Sequence, residues 1–317
     1  MDVTVIAGGV GAARLLRGVQ DIIPADQLTA IVNVADDCEI HGLWISPDLD
    51  TVTYTCAEAI DTDRGWGLGD ESWQAMATLR RYTDSGVRSD LSWFNLGDRD
   101  LGTHLYRTSR RNEGAPLSVI TQEITLAWGI EFAVIPATDD PIATKLMSSG
   151  NQLDFQEYFV RDQHSVAVES VEFVGAAAAR PAPGVIDAIN RAGVIVIAPS
   201  NPVVSIGPIL AIPGIREALR ERRSHVVAIS GIIGGAALKG PADRLLAELG
   251  HRSTAAGVAE LYADIAATMI IDEADRGLAA EITELGMTPI VTDTIMVDRS
   301  AAARLGTVCL SSSDHAR

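Results

Sequence analysis

Aromatic residues are scarce in this chain: Phe, Trp and Tyr together make up 5% of 317 residues. The core must therefore be built mainly from Ala, Val, Ile and Leu. Apolar residues at 47% are enough to supply one, which argues against disorder. Cysteine is rare too. Cys38, Cys56 and Cys309 are scattered and form no C-x-x-C pair. That argues against a disulfide scaffold and fits a reducing cytoplasm. Positive charge is also short, with 25 Lys plus Arg against 42 Asp plus Glu and a formal net charge of -17. A general grip on a nucleic-acid backbone is disfavoured. An anionic small ligand would need backbone N–H groups, a few arginines or a metal. No basic stretch opens the N-terminus, where Asp2 stands, so no signal peptide is expected. The uncharged residues 193–215 are broken by Pro199, Pro202, Pro208 and Pro213. They read as a buried strand, a loop and a turn, not a membrane span.

What is present is an alternation of strand and helix patterns. Continuous apolar runs at residues 3–7, 28–34, 194–198 and 226–230 predict strands buried on both faces of a parallel sheet. A further strand is expected at 131–136. Helices are expected over 12–19, 51–60, 71–82, 101–111 and 117–128. Residues 165–174, SVAVESVEFV, alternate apolar and polar, as in a half-exposed antiparallel strand. That strand is assigned to an inserted or edge element within residues 62–180. The tail SSSDHAR reads as frayed. The alternation predicts an α/β fold with a mainly parallel sheet flanked by helices, one unit over 1–317. Ligands of such sheets sit beyond the carboxyl ends of strands, so those ends are where chemistry is sought.

Gly8, Gly9 and Gly11 follow the first strand. Glycines turn sharply and let a ligand approach the backbone, and the following helix points free N–H groups at the same spot. A phosphate fits there, as does a merely tight turn. The spacing departs from G-x-G-x-x-G. Asn33 stands near the end of the second strand, where a dinucleotide site would carry an acid. The next stretch, NVADDCEIHGLWISPDLDT, holds Asp36, Asp37, Asp48 and Asp50. Carboxylates crowded at one strand end repel unless a cation is present, and oxygen-only ligands suit Mg²⁺. Asp48 and Asp50, two apart on an extended backbone, would point the same way; Asp50 could equally cap the next helix. His41 lies between the pairs. FNLGDRD supplies Asp98 and Arg99, the latter able to fork onto phosphate oxygens. APSNPVVSIGPI puts Ser200 and Asn201 at another strand end, as ligand contacts or an ordinary turn. Trp66, in DTDRGWGLGDESW, could stack on a flat heterocycle or cover the core.

Together AGGVGAARLLRG, IVNVADDCEIHGLWISPDLDTVTY, DRGWG, WFNLGDRDLGTHL and APSNPVVSIGPIL resemble the 2-phospho-L-lactate transferase family of deazaflavin coenzyme F-420 biosynthesis, phosphoenolpyruvate-using variants included. The resemblance runs from the N-terminus to about residue 220. It implies a Rossmann-like fold, Mg²⁺ and a homodimer. The implied donor is a guanosine-diphosphate-linked three-carbon acid, the acceptor the deazaflavin precursor, and the product GMP. By position, Gly8, Gly9 and Gly11 would hold donor phosphates, and Asp36 and Asp48 the Mg²⁺. Asp37 and Asp50 would support them, with Asn33 and Arg99 nearby. Ser200 and Asn201 would help hold the nucleotide, and His41, Trp66 and Asp98 would surround the acceptor. A non-catalytic nucleotide-sugar-binding regulator of the same superfamily is the alternative. A dehydrogenase is disfavoured by the glycine spacing.

Overall fold

The computed structural model describes residues 1–88 and 91–312. Seven parallel strands form the central sheet: β1 (Val3–Ala7), β2 (Leu28–Val32), β3 (Ala133–Pro136), β4 (Val194–Ile197), β5 (Val226–Ile229), β6 (Thr268–Ile271) and β7 (Thr288–Val291). Their order across the sheet is β3-β2-β1-β4-β5-β6-β7. This is the doubly wound order, in which the chain winds outward first on one side of β1 and then on the other. Every residue of β1, β4, β5 and β6 is buried, which explains sequences that are apolar but for Thr4 and Thr268. Val5 pairs with Ala30 on one side and Val196 on the other, fixing β1 at the centre.

Among the described residues five α-helices precede β3: α1 (Val10–Val19), α2 (Pro47–Cys56), α3 (Gln74–Asp84), α4 (Asp100–Asn112) and α5 (Leu117–Ala127). The position of α2 corrects the sequence reading. The helix starts at Pro47, an imino residue that costs nothing at a first helical position, and not after Asp50. Asp48 and Asp50 therefore lie in a helical first turn and not on extended backbone. Residues two apart on a helix point to different sides, so these two carboxylates diverge. The stretch after β4 also differs from expectation. Pro202–Ile206 and Gly207–Leu210 are helical because Asn201 caps the start and Pro202 and Pro208 stand at first-turn positions. That helical run meets Ile215–Glu221 at 89°, and among the described residues no single helix is long and apolar enough to cross a membrane.

A smaller antiparallel sheet places Ala143–Ser148 between Asn151–Asp154 and Ser170–Val174. The alternating sequence is a strand only from Ser170 onward. Val168 turns its N–H to the Glu248 carboxylate at 2.9 Å instead of joining the ladder. At the other end of the chain, the helix Arg299–Ser312 runs into the SSSDHAR tail, whose remainder lies outside the described residues.

Candidate active site

The order of strands reverses between β1 and β4, the place where folds of this kind form their ligand cleft. The chain leaves β1 through Gly8 and Gly9 and enters α1. No side chain caps that helix, and its first turn holds no acidic residue, so its N–H groups await an outside acceptor. The Gly8 N–H donates to Ser200 Oγ from the β4 loop at 3.3 Å. Neighbours leave no room for side chains here. A Cβ on Gly11 would lie 2.2 Å from the Pro199 carbonyl oxygen, and one on Gly9 2.6 Å from Asp48 Oδ1. The glycines thus let α1 dock on the β4 loop and let a carboxylate touch the turn.

Asp48 is drawn in by Asn33 at the end of β2. Asn33 Nδ2 donates to Asp48 Oδ2 at 3.0 Å, while Asn33 Oδ1 accepts the Ala35 N–H at 3.0 Å. Where a dinucleotide-binding fold ends this strand with an acid, here an amide holds an acid from the next helix. Asp36 lies beside the pair, and its Oδ1 is buried with no hydrogen-bond partner. Burial, then the charges of Asp48 and Asp37, hold the Asp36 carboxyl well above the usual carboxylate range. Burial likewise pushes Asp48 up to about 6, against the opposing hydrogen bond from Asn33. Two buried acids that resist ionisation, one oxygen unpartnered, suit a divalent cation, which would favour their charged forms. Among the described residues no group of three or more His, Cys, Asp or Glu side chains could hold a metal. A site here would rest on two carboxylates, with water and ligand oxygens completing it, as Mg²⁺ accepts.

The other two aspartates have more side-chain partners, although Asp37 Oδ1 is itself buried without one. Asp37 Oδ2 accepts from Ser46 Oγ at 2.7 Å and Trp44 Nε1 at 3.2 Å; burial raises its carboxyl to about 7. Asp50 forms a two-point ion pair with Arg107 of α4, through Nη1 at 3.1 Å and Nη2. Both partners are buried, Arg107 at 2% exposure. The sequence reading missed this pair and the chain beyond it. Arg107 Nη1 lies 3.2 Å from His104 Nδ1, His104 Nε2 lies 3.3 Å from Asp100 Oδ1, and the Tyr54 hydroxyl donates to Asp100 at 2.6 Å. The signal lay in the spacing. The buried residues of α4 are Asp100, Thr103, His104 and Arg107, one helical stripe that is polar throughout. Two further contacts to the Asp36 segment were missed. Gln156 Nε2 donates to the Asp36 carbonyl at 3.1 Å, and the Thr144 N–H to the Ala35 carbonyl at 2.8 Å.

The remaining sequence candidates are placed apart from this cluster or in local roles. His41 and Gly42, at φ 55° and 77°, form the turn of the hairpin joining Cys38–Ile40 to Leu43–Ile45. Asp98 caps α3, accepting the N–H groups of Gln74 at 2.8 Å and Ala75 at 3.0 Å; these bonds and Ser72 lower its carboxyl pKa. The Arg99 guanidinium donates to the Gly69 carbonyl. Asn201 Oδ1 accepts from Val203 N at 2.9 Å and Val204 N at 3.3 Å, spending that oxygen on a cap. Trp66 is 44% exposed and meets Trp73 edge-on, with the Arg64 guanidinium over both rings at 5.4 and 5.2 Å.

Residues 3–308 match the family model described as 2-phospho-L-lactate transferase CofD. A phosphoenolpyruvate transferase of Nocardia farcinica is 45% identical over 277 residues, covering 85% of this chain and 82% of that one. One from Mycobacterium bovis is 45% identical over 96% of each chain, and one from Kitasatospora aureofaciens 40% identical over 100% of this chain and 99% of its own. Among solved structures, a UPF0052-family protein of Bacillus halodurans superposes with a TM-score of 0.64 at 19% identity, covering 98% of both chains. That likeness concerns the fold alone. With a match over nearly its whole length and relatives this similar, the chain belongs to the 2-phospho-L-lactate transferase (CofD) family.

Proposed function

We propose that the protein moves the phosphorylated three-carbon acid of a guanosine-diphosphate-linked donor onto the deazaflavin precursor, releasing GMP. The terminal ribityl oxygen of the acceptor bonds to the distal phosphorus. The bond from that phosphorus to the bridging oxygen breaks, GMP leaves with the electron pair, and the hydroxyl proton goes to solvent or a nearby carboxylate. One observation carries this reading. The Asp48 carboxylate touches the Gly9 turn, so a cation-binding pair and a phosphate-binding turn share one cleft.

Gly8, Gly9 and the uncapped first turn of α1 receive the diphosphate, with Ser200 beside them. Asp36 and Asp48 would hold Mg²⁺, and Asn33 orients Asp48. Bound there, the ion would neutralise charge on the diphosphate and the departing GMP. Alignment matters more than a strong base when the transition state is loose. The amide nitrogen of Asn201 is the end available to a nucleotide. The half-exposed Trp66 ring offers a stacking face to the flat acceptor, with Asp98, Arg99 and His41 the other candidates on that side. The reading carries a cytoplasmic, dimeric protein with it.

Incubation of the protein with Mg²⁺, the deazaflavin precursor and the guanylated donor should release GMP. Absence of GMP, together with tight binding of a uridine-diphosphate sugar, would favour the regulator instead. Competition between phospholactyl, enolpyruvyl and phosphoglyceryl donors identifies the acid.

A further inference from the structure

Lys239 is one of two lysines in the chain, and the other, Lys145, is paired with Asp154. Lys239 ends a loop that begins at the cleft. After β5, Gly231 packs on the Ser200 loop: a Cβ on it would lie 3.4 Å from the Pro199 carbonyl oxygen. The chain then forms a hairpin in which Ile232 pairs with Ala237 and Ile233 with Ala236. Its turn is pinned by Asp275, whose two oxygens accept the Gly234 N–H at 3.2 and 3.1 Å. The antiparallel register brings Leu238 back level with Gly231, so Lys239 emerges at the mouth of the cleft.

From there the ammonium reaches the loop that carries Trp66. A Cβ on Gly65 would lie 2.2 Å from Lys239 Nζ. The two loops belong to opposite sides of the strand-order reversal, one following β5 and the other α2. Lys239 therefore bridges the two loops. Three arginines of the segment from α2 to α4 are engaged. Arg64 pairs with Asp61 at 2.9 Å, Arg99 donates to Gly69, and Arg107 pairs with Asp50. Lys239 has no carboxylate partner among the described residues.

Asp36 and Asp48, at the end of β2 and the start of α2, repel any carboxylate that approaches them. The diphosphate has the N–H turn, and Lys239 offers a cation to the acid end of the donor. We propose that Lys239 receives the carboxylate of the three-carbon acid and so selects donors that carry one. A compact ammonium with three donor protons suits that task. The inference rests on the transferase reading above.

Lys239 is exposed, so Lys239→Ala should fold as the wild type does, which thermal denaturation checks. Donor KM should rise on the order of tenfold or more in Lys239→Ala, with most of the loss recovered in Lys239→Arg. Inhibition by guanosine diphosphate, which lacks the acid, should be unchanged. Equal weakening of donor and guanosine diphosphate would assign Lys239 to the phosphates and overturn the proposal, as would no change in either. A wild type that releases no GMP sinks the transferase reading and this inference with it. A wild type that turns over while Lys239→Ala matches it sinks this inference alone.

Discussion

Four aspartates, three buried and Asp37 half-buried, follow β2 within one short stretch, and they divide into two unlike pairs. Asp50 has both oxygens held by the Arg107 fork, and Asp37 has one oxygen held by Ser46 and Trp44 while its other is unpartnered. Asp36 and Asp48 have a single amide, Asn33, and an orphan oxygen. The pairs differ in how many donors hold them: one amide for Asp36 and Asp48, against a hydroxyl, an indole and a guanidinium for Asp37 and Asp50. A fold gains nothing from a buried carboxylate left unpaired, because the desolvation cost is not recovered. The pair with more donors reads as architecture, and the pair that shares one amide as the candidate place for a ligand.

The sharpest way to break that comparison is to remove a partner from the pair with more donors. Arg107→Met leaves Asp50 charged and buried with its main partner gone. It should cost about 3–5 kcal/mol of stability, read from denaturant midpoints. The double variant Arg107→Met/Asp50→Leu, which removes both charges, should recover most of it. If Arg107→Met alone is neutral, Asp50 is not held by that pair and stands with the ligand-binding carboxylates after all. The next largest effect belongs to the pair that shares one amide. Asp48→Asn keeps an acceptor for Asn33 but removes the charge. Turnover should fall about a hundredfold or more, from lost charge stabilisation, while the fold is kept. Near-normal turnover would take Asp48 out of the site.

The sequence carried these two pairs unequally. The strand-end rule gathered Gly8, Gly9, Asp36 and Ser200, and the fold brings them together because β1, β2 and β4 are parallel neighbours. Their strands were legible because strands buried on both faces are almost wholly apolar. The direction of Asp48 and Asp50 was not legible, because Pro47 was read as part of a loop when it opens a helix. Nor was Arg107. Periodicity is usually read from apolar residues, and α4 inverts that rule. It buries Asp100, Thr103, His104 and Arg107 while Leu105 and Tyr106 stand 58% and 43% exposed. The contacts of Gln156 and Thr144 come from the small antiparallel sheet, far away in sequence, and no local pattern announces them.

The gentlest test is proton and cation linkage, which sets the pairs against each other in one assay. Burial raises Asp37 to about 7 and Asp48 to about 6 from an ordinary value of 3.8. A raised folded-state pKa means that the native state holds the proton more tightly than the unfolded chain. This contribution to stability is complete below about pH 4 and is lost as pH climbs through 6 to 7. Asp37→Asn and Asp48→Asn should each therefore gain on the wild type between pH 4 and pH 7, by a kcal/mol or two in order of magnitude. Neutral donors already serve Asp37, so removing its charge should leave a response to Mg²⁺ intact. Millimolar Mg²⁺ at pH 7 should raise the denaturation midpoint of the wild type and of Asp37→Asn, and should do little for Asp48→Asn. Equal Mg²⁺ stabilisation of the two variants would show that the pairs do not differ in the way their partners imply.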